Sequence, residues 1–307
     1  MNSTEADVGA GIIITSFSAL GLAFNGVGLM MVWSNSNLSK SFGQLCINSC
    51  LSNVIICILY IIWVAPVTFI QADTLSTSLL GKILGTSMNF FWCVFLFSHV
   101  TISIDRLISI CFPLQAKLSL SQINFKFITA AIWLLAIVNI VPFFWFRKCY
   151  FVYKPATWRW SYGKEGTICS HFLSQFNMWK TIAGIAIMAT LDLITIFCLH
   201  RHHRSTRRMT VTSRNDLEGV DERCRRIEVK FFVQTVIQGL MLVCHQVMLH
   251  VVQPHAHKQW LLFICTTLTI ILTHTLDGLI LCIFQLKGYQ KQRRPSMLSV
   301  KTTVTLT

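Results

Sequence analysis

Charged residues are scarce in this sequence of 307 residues, where Asp, Glu, Lys and Arg together make up 12%. A soluble domain usually contains about 25%, so too few charged side chains are present to cover a water-facing surface of this size. Hydrophobic residues reach 53%, and the mean hydropathy is +0.59. Together these values exclude a soluble globular enzyme, a disordered chain and a fibrous protein. The sequence therefore predicts an integral membrane protein.

Long apolar runs account for most of the chain. A hydrocarbon core of about 30 Å requires about 20 apolar helical residues. Seven runs reach this length, and their approximate bounds are 10–33, 43–70, 80–112, 125–146, 172–199, 231–252 and 259–286. Pro254 separates the last two, which would otherwise form a helix of about 55 residues, too long for one bilayer. The predicted fold class is an all-α membrane protein, a bundle of seven transmembrane helices.

Lys and Arg residues lie mostly on one side of the predicted bundle. If the N-terminus is outside, 18 of them fall in inner segments and 8 in outer segments. The positive-inside rule therefore places the N-terminus outside, and the excess of basic residues needs no nucleic-acid partner. The resulting organisation is an extracellular N-terminus (1–9), a seven-span domain (10–286) and a basic cytoplasmic tail (287–307). The inner connection 200–230 is expected to be a helix extension or a mobile loop.

An acid and a base stand side by side at the inner end of the third run. Asp105 and Arg106 are costly inside an apolar segment unless each is paired or reaches the interface. In one interpretation Arg106 extends to the interface and a solvated Asp105 marks the helix end. In the other, Asp105 holds Arg106 in one state and releases it to a partner in another. The residues alone leave both interpretations open.

Three polar residues are level with one another in different runs. Asn25, Asn53 and Asp277 each lie eight to ten residues from the inner end of their span, which at 1.5 Å per residue is a depth of roughly 12–15 Å. His274 shares a face with Asp277 at a spacing of three residues. We expect a hydrogen-bonded polar core layer, which is either a static structural network or a functional element.

The second outer loop contains a pair of cysteines, Cys149 and Cys169, in a polar stretch. Because the outside of a cell is oxidising, we expect these two to form a disulfide. Aromatic residues on both sides of Lys154-Pro155 predict a β-hairpin between them, which would act either as a lid or as a stabilising clasp. Asn2 begins an outer Asn-Ser-Thr sequon and is a candidate for glycosylation. No Cys-x-x-Cys pair occurs, so no metal site is expected.

Several of these segments resemble one family of receptors. Seven spans with an Asp-Arg pair ending the third, and a Gly-Asn element in the first, are similar to the rhodopsin-like G-protein-coupled receptors. A narrower resemblance, to the nematode chemoreceptors called serpentine receptor class X, rests on Phe42–Asn53, Asp105–Pro113 and the Cys149–Cys169 loop with its Trp158-Arg159-Trp160. The resemblance implies coupling to a heterotrimeric G protein through Asp105 and Arg106.

The chain also departs from the rhodopsin-like pattern. Gly81 stands where that family usually has a cysteine bridged to the second outer loop. Asp277-Gly278 replaces an Asn-Pro pair, and Leu281 replaces the Tyr that follows it. No proline lies between residues 230 and 252, where the family has a proline-kinked motif.

The resemblance also implies a ligand pocket in the outer half of the bundle, because Met88, Asn89 and Trp92 fall where the family places ligand contacts. The full predicted set is Met88, Asn89, Trp92, Phe95, His245, Trp260 and Thr267. An aromatic stripe at helical spacing is more often part of the bundle core than a set of ligand contacts. Family members that bind biogenic amines have an Asp at the position of Met88, so an amine ligand is not expected.

These features favour a plasma-membrane receptor that binds a small molecule or short peptide and signals through an intracellular G protein. The alternative is a transporter or channel for small solutes or ions, although no internal repeat typical of transporters is found. A membrane enzyme would need a nucleophile with a base, or a bound metal, at matching depth. Neither set occurs in the sequence, so no enzymatic activity and no cofactor are expected.

The orientation can be tested with epitopes. A tag at the N-terminus should be labelled on intact cells, and a tag after Thr307 only after permeabilisation. The reason is that segments rich in Lys and Arg, including the C-terminal tail, stay on the cytoplasmic side of the membrane. The reverse pattern would contradict the orientation, and labelling of both ends on intact cells would contradict an odd number of spans.

Overall fold

The computed structural model describes residues 3–34, 40–112, 125–145, 150–163, 168–209 and 217–292. Within these residues the chain forms seven helical spans, α1 to α7, and one β-hairpin. The main α-helical part of each span is Ser3–Ser34 (α1), Lys40–Leu59 (α2), Leu79–Cys111 (α3), Phe125–Trp145 (α4), Ile168–Met209 (α5), Leu217–Val247 (α6) and Thr269–Gln292 (α7). Six spans are long and apolar enough to cross a membrane, and α4 contains the shorter apolar segment Lys126–Val141. The predicted seven-helix bundle is therefore present.

Three spans continue through a π-helical turn near the end that carries the hairpin, which we call the outer end. In α2 the turn Tyr60–Val64 leads into a further helical stretch, Ala65–Ile70. Pro66 explains it, because a proline ring has no N–H and clashes with the carbonyl four residues earlier. The turn Met248–Val252 extends α6, and Ile264–Leu268 joins α7 to its first stretch, Gln259–Phe263.

Two segments expected outside the spans continue the helices instead. The first helix begins at Ser3 rather than at residue 10, and Ala6 and Asp7 are buried. They are buried because the hairpin packs on this end of α1. At the inner end, α5 extends to Met209 and α6 begins at Leu217. Of the two expectations for the inner connection, the helix extension is therefore observed over these residues.

The predicted hairpin is formed by β1 (Phe151–Lys154) and β2 (Arg159–Tyr162), joined by the 3-10 turn Pro155–Thr157. The strands are antiparallel, and Phe151 stacks on Trp160 with ring centroids 5.1 Å apart. The hydroxyl of Tyr153 shares a hydrogen bond with that of Thr68 in α2, at 2.8 Å. Burial raises the pKa of Tyr153 by more than the hydrogen bond with Thr68 lowers it, so the phenol stays protonated.

The predicted disulfide and glycosylation site cannot be placed in this fold. Cys149 and Asn2 lie outside the described residues, as does the side chain of Cys169. Both remain predictions from the sequence.

A glycine on α3 determines how closely the hairpin packs against this helix. A Cβ added to Gly85 would lie 1.8 Å from the carbonyl oxygen of Phe151, so only glycine allows the backbone of β1 to rest directly on α3. One turn earlier, a Cβ on Gly81 would lie 1.9 Å from the carbonyl oxygen of Ser76. The outer end of α3 therefore accepts two backbone segments at van der Waals distance.

Of the four apolar clusters in the described part of the chain, the two largest lie one in each half of the bundle. The outer cluster packs the large side chains of α1, α2 and α7 against the hairpin, and includes Ile14, Tyr60, Tyr153, Trp158 and Phe263. The inner cluster includes Phe42, Leu45, Cys50, Ile102 and Phe231. Between them lies a thin layer of buried polar side chains, which is part of the site described below.

The Gly85 contact predicts a specific steric effect. Gly85→Ala should destabilise the purified protein by about 1–3 kcal/mol, because the methyl group displaces the hairpin from α3. In Gly239→Ala, where no atom lies within 4 Å of the added Cβ, helix propensity should instead stabilise α6 by about 0.5–1 kcal/mol. Thermal unfolding in detergent measures both, and equal melting temperatures for the two variants would contradict the contact.

Candidate functional site

A cavity of about 360 Å³ lies in the outer half of the bundle, between α3, α5, α6, α7 and the hairpin. Its volume is in the range of small-molecule sites. The residues that line it are Met88, Asn89 and Trp92 of α3; Phe151, Arg159, Trp160, Ser161 and Tyr162 of the hairpin; Ser170, Ser174, Asn177, Met178 and Thr181 of α5; His245, Gln246, Leu249, His250 and Gln253 of the α6 span; and Thr266 and Ile270 of the α7 span.

Four of the seven predicted ligand contacts line this cavity, namely Met88, Asn89, Trp92 and His245. All are on the inward faces of α3 and α6, and Met88, Asn89 and His245 are at most 4% exposed. The cavity wall therefore combines aromatic and thioether surface with an amide and an imidazole.

The other three predicted contacts lie elsewhere. Phe95 is one turn further in, with its ring centroid 4.8 Å from that of His274. Trp260 packs on Trp158 at the tip of the hairpin, and the hydroxyl of Thr267 donates to the backbone carbonyl of Trp158. The structure thus divides the predicted set between the cavity, the polar layer and the hairpin anchor.

The contribution of α5 to the cavity was not predicted, although its sequence contains a signal. Ser170, Ser174, Asn177 and Thr181 recur at intervals of four, three and four residues, which places them on one face of a helix. A polar stripe within an otherwise apolar span indicates a surface that faces the protein interior. The hairpin residues have no comparable periodic signal, because their position depends on packing against α3.

Buried polar atoms without a hydrogen-bond partner occur throughout the described bundle, and some of those on α3 and α6 line the cavity. Among the described residues, Asn89 Nδ2, His245 Nδ1 and Gln246 Oε1 have no hydrogen-bond partner, and all three side chains are at most 9% exposed. Unpaired buried polar groups cost about 1–3 kcal/mol each, which a ligand with matching groups would recover. Of the described lining residues, Arg159 carries the one permanent charge, and none is an Asp or Glu.

Trp92 connects the cavity to the polar layer. It lines the cavity, and its ring lies edge-on to His274, with centroids 5.7 Å apart. It also contacts the imidazole of His245 at 5.2 Å. The indole therefore forms the boundary between the cavity and the polar layer.

The predicted polar residues of α1, α2 and α7 lie within hydrogen-bonding distance of one another. Asn53 Nδ2 lies 2.9 Å from Asn25 Oδ1 and 2.8 Å from Asp277 Oδ2, and donates to both. His274 Nδ1 lies 2.7 Å from Asn53 Oδ1. Asn25 in turn donates to the backbone carbonyl of His274 at 2.9 Å. Gly278 permits this approach, because a Cβ there would lie 2.6 Å from the Asn25 amide.

Three further members of the layer were not predicted. Gln238 Nε2 of α6 donates to Asp277 Oδ1 at 2.7 Å, and His99 Nε2 of α3 lies 3.2 Å from the same oxygen. Ser49 of α2 lies within 3.4 Å of Asp277 Oδ2. Each has other polar residues close by in its run, with Asn48 beside Ser49 and Ser98 beside His99, so the sequence does not indicate which of them faces Asp277. The carboxylate of Asp277 is 4% exposed and is bound from three other helices.

At the inner end, Arg106 is enclosed rather than solvated. Its guanidinium pairs with the Asp105 carboxylate and lies 4.2 Å from the ring centroid of Phe42 and 6.0 Å from that of Phe231. Arg106 is 1% exposed and Asp105 5%. The interpretation of Arg106 as an interfacial side chain beside a solvated Asp105 is therefore wrong, because aromatic rings from α2 and α6 cover it.

Known proteins share this architecture. The crystal structure of squid rhodopsin superposes with a TM-score of 0.74 at 14% identity, over 94% of this chain and 84% of that one. The serpentine receptor class X 45 of Caenorhabditis elegans is 23% identical over 303 residues, which cover 93% of this chain and 81% of the relative. Serpentine receptor class X-43 of the same organism is 26% identical over 209 residues, 67% of this chain and 62% of the relative.

Seven apolar helices around an outer cavity and a buried polar layer define a multi-pass membrane protein with the rhodopsin fold. The family of serpentine-type seven-transmembrane G-protein-coupled chemoreceptors, Srx, matches residues 15–285. The chain belongs to this family and is a chemoreceptor.

The polar layer predicts coupling between His99 and Asp277. His99→Leu should cost about 1–3 kcal/mol of stability, because it removes one of the groups that bond the buried Asp277 carboxyl group, while Asn53 and Gln238 remain. In an Asp277→Asn background the cost should fall by at least about 0.5 kcal/mol, because the imidazole has then already lost its carboxylate partner. Thermal unfolding of the purified single and double variants measures this.

Thr273→Val serves as the control, because Thr273 is buried on α7 but bonds only to Thr269 O of its own helix among the contacts described. Its effect should add to that of His99→Leu without coupling. Additive effects of His99→Leu and Asp277→Asn would contradict the pairing.

Proposed function

We propose that this protein is a plasma-membrane chemosensory receptor, with its N-terminus outside, that binds a small molecule or short peptide in the cavity and signals through an intracellular heterotrimeric G protein. The observation that carries the proposal is the position of Trp92, which contacts both the cavity and the polar layer. Ligand contact at this indole is thereby linked to hydrogen-bonded residues of five helices, α1, α2, α3, α6 and α7.

The cavity supports a particular ligand chemistry. Trp92, Phe151 and Trp160 offer aromatic faces for an apolar body. Asn89 Nδ2 offers a donor and Gln246 Oε1 an acceptor, so the ligand should carry both an acceptor and a donor group. Because no Asp or Glu is among the described lining residues, a cationic amine would have no counter-charge there.

The inner end supports a two-state element. Phe231 of α6 covers the Arg106 guanidinium, and Gln238 ties the same helix to Asp277. Movement of α6 away from α3 would remove the Phe231 ring and expose the side of Arg106 that Phe42 does not cover, which a G protein would then contact. Asp105 holds the guanidinium in the state described here.

Expression in cells with a promiscuous G protein, with a calcium readout, tests the proposal. The screen should cover volatile, water-soluble and peptide compounds. A ligand response that requires the G protein supports the receptor function. Ligand-dependent ion flux in cells that lack the G protein would favour the transporter or channel instead.

Arg106 provides the sharpest variant set. Arg106→Ala should abolish signalling per surface receptor, and Asp105→Asn should raise basal signalling, because it weakens the hold on Arg106. Since Arg106→Ala alone strands a buried carboxylate, its surface expression should fall.

The double variant Asp105→Asn/Arg106→Ala is the matched control. It removes the stranded charge, so surface expression should recover while signalling stays absent. If signalling per surface receptor is retained in either Arg106 variant, the coupling role of this residue is refuted.

A further inference from the structure

The largest fully buried side chain of the described residues belongs to the hairpin rather than to a helix. Trp158 follows the 3-10 turn at the tip and is 0% exposed. Its indole N–H donates to Asp7 Oδ1 of α1 at 2.9 Å. Its ring meets those of Trp260 and Phe263 edge-on, with centroids 4.9 and 5.8 Å away. We call the four residues Asp7, Trp260, Phe263 and Thr267 the Trp158 socket.

The socket has the composition of a binding site. It offers two aromatic walls and one carboxylate acceptor, and Asp7 is itself only 9% exposed. Thr267 adds a hydrogen bond to the backbone carbonyl of Trp158. The socket lies between the outer ends of α1 and α7, apart from the cavity described above, since none of its members lines that cavity.

The backbone of Trp158 shows that the indole is held against a local conformational preference. Its φ and ψ are 49° and 39°, the left-handed region that residues with a Cβ rarely adopt. Glycine would suit the position, yet a tryptophan occupies it. Strain of this kind persists only where surrounding contacts compensate for it, and the socket supplies those contacts.

We propose that Trp158 is a tethered ligand, bound in a site between α1 and α7 that is selective for a planar aromatic group with one N–H donor. Binding of this indole fixes the hairpin, and with it Arg159 and Trp160, the next residues along, which line the cavity. Removal of the indole leaves a site that a free molecule of the same class occupies.

Trp158→Gly tests the site, because glycine adopts the left-handed conformation freely and only the indole is lost. The purified variant should melt below the wild type, and added indole should raise its melting temperature by about 2–4 °C. Indole should not shift the wild type, whose socket is filled. Trp179→Gly is the matched control, since Trp179 is 63% exposed on α5 and leaves no enclosed site.

The selectivity of the site is tested with 1-methylindole, which has the same ring system but no N–H. It should shift Trp158→Gly less than indole does, and the difference should vanish when Asp7→Ala is added. Equal shifts by both compounds with Asp7 present would overturn the assignment of Asp7.

If Trp158→Gly is too unstable to purify, its surface expression in cells grown with and without indole replaces the melting measurement. Trp158→Phe is then expressed as a control, to establish that the hairpin tolerates a ring without the N–H. Recovery of surface expression by indole supports the tethered ligand. No recovery, with Trp158→Phe expressed normally, overturns it, as does a purified Trp158→Gly that indole does not stabilise.

Discussion

The buried carboxylate of Asp277 is the constraint on which the rest of the bundle depends. A charge in the middle of an apolar bundle costs free energy unless it is paired and hydrogen-bonded. Asn53, His99 and Gln238 meet this requirement from α2, α3 and α6. Because the donors must reach one carboxyl group, they set the axial register and rotation of four helices, and the two apolar clusters close above and below them.

The same layer gives the proposed signalling a physical basis. Above it, Trp92 and His274 are in ring contact, so the floor of the cavity rests on the hydrogen-bonded network. On its inner side, Gln238 and Phe231 belong to one helix, and Phe231 covers Arg106. A displacement of α6 would therefore break a bond to Asp277 and remove one of the two rings that cover Arg106 in the same movement, while Phe42 of α2 would stay in place. A continuous series of side-chain contacts therefore connects the cavity to Arg106 at the inner end of the bundle.

The hairpin is positioned by two different interactions. Gly85 lets its first strand touch α3, and Trp158 anchors its tip between α1 and α7. The glycine at position 81, where rhodopsin-like receptors usually have a cysteine, lies on the same outer stretch of α3 and accepts the backbone at Ser76. Small residues on α3 thus admit backbone where a bulkier side chain would keep it away, which allows the hairpin to form one wall of the cavity.

By itself, the sequence determined the number of helices. The length of each apolar run can be compared with the thickness of the bilayer without knowledge of any tertiary contact. It also determined the depth of Asn25, Asn53 and Asp277, since rise per residue is constant, and the hairpin, from its aromatic residues around a turn. Only the tertiary structure decided that His99 and Gln238 face Asp277, and that Phe42 and Phe231 enclose Arg106. The physical reason is that a membrane helix is apolar on its lipid face as well as on its core face, so hydrophobic periodicity does not reveal its rotation. That rotation is set by contacts with helices distant in the chain.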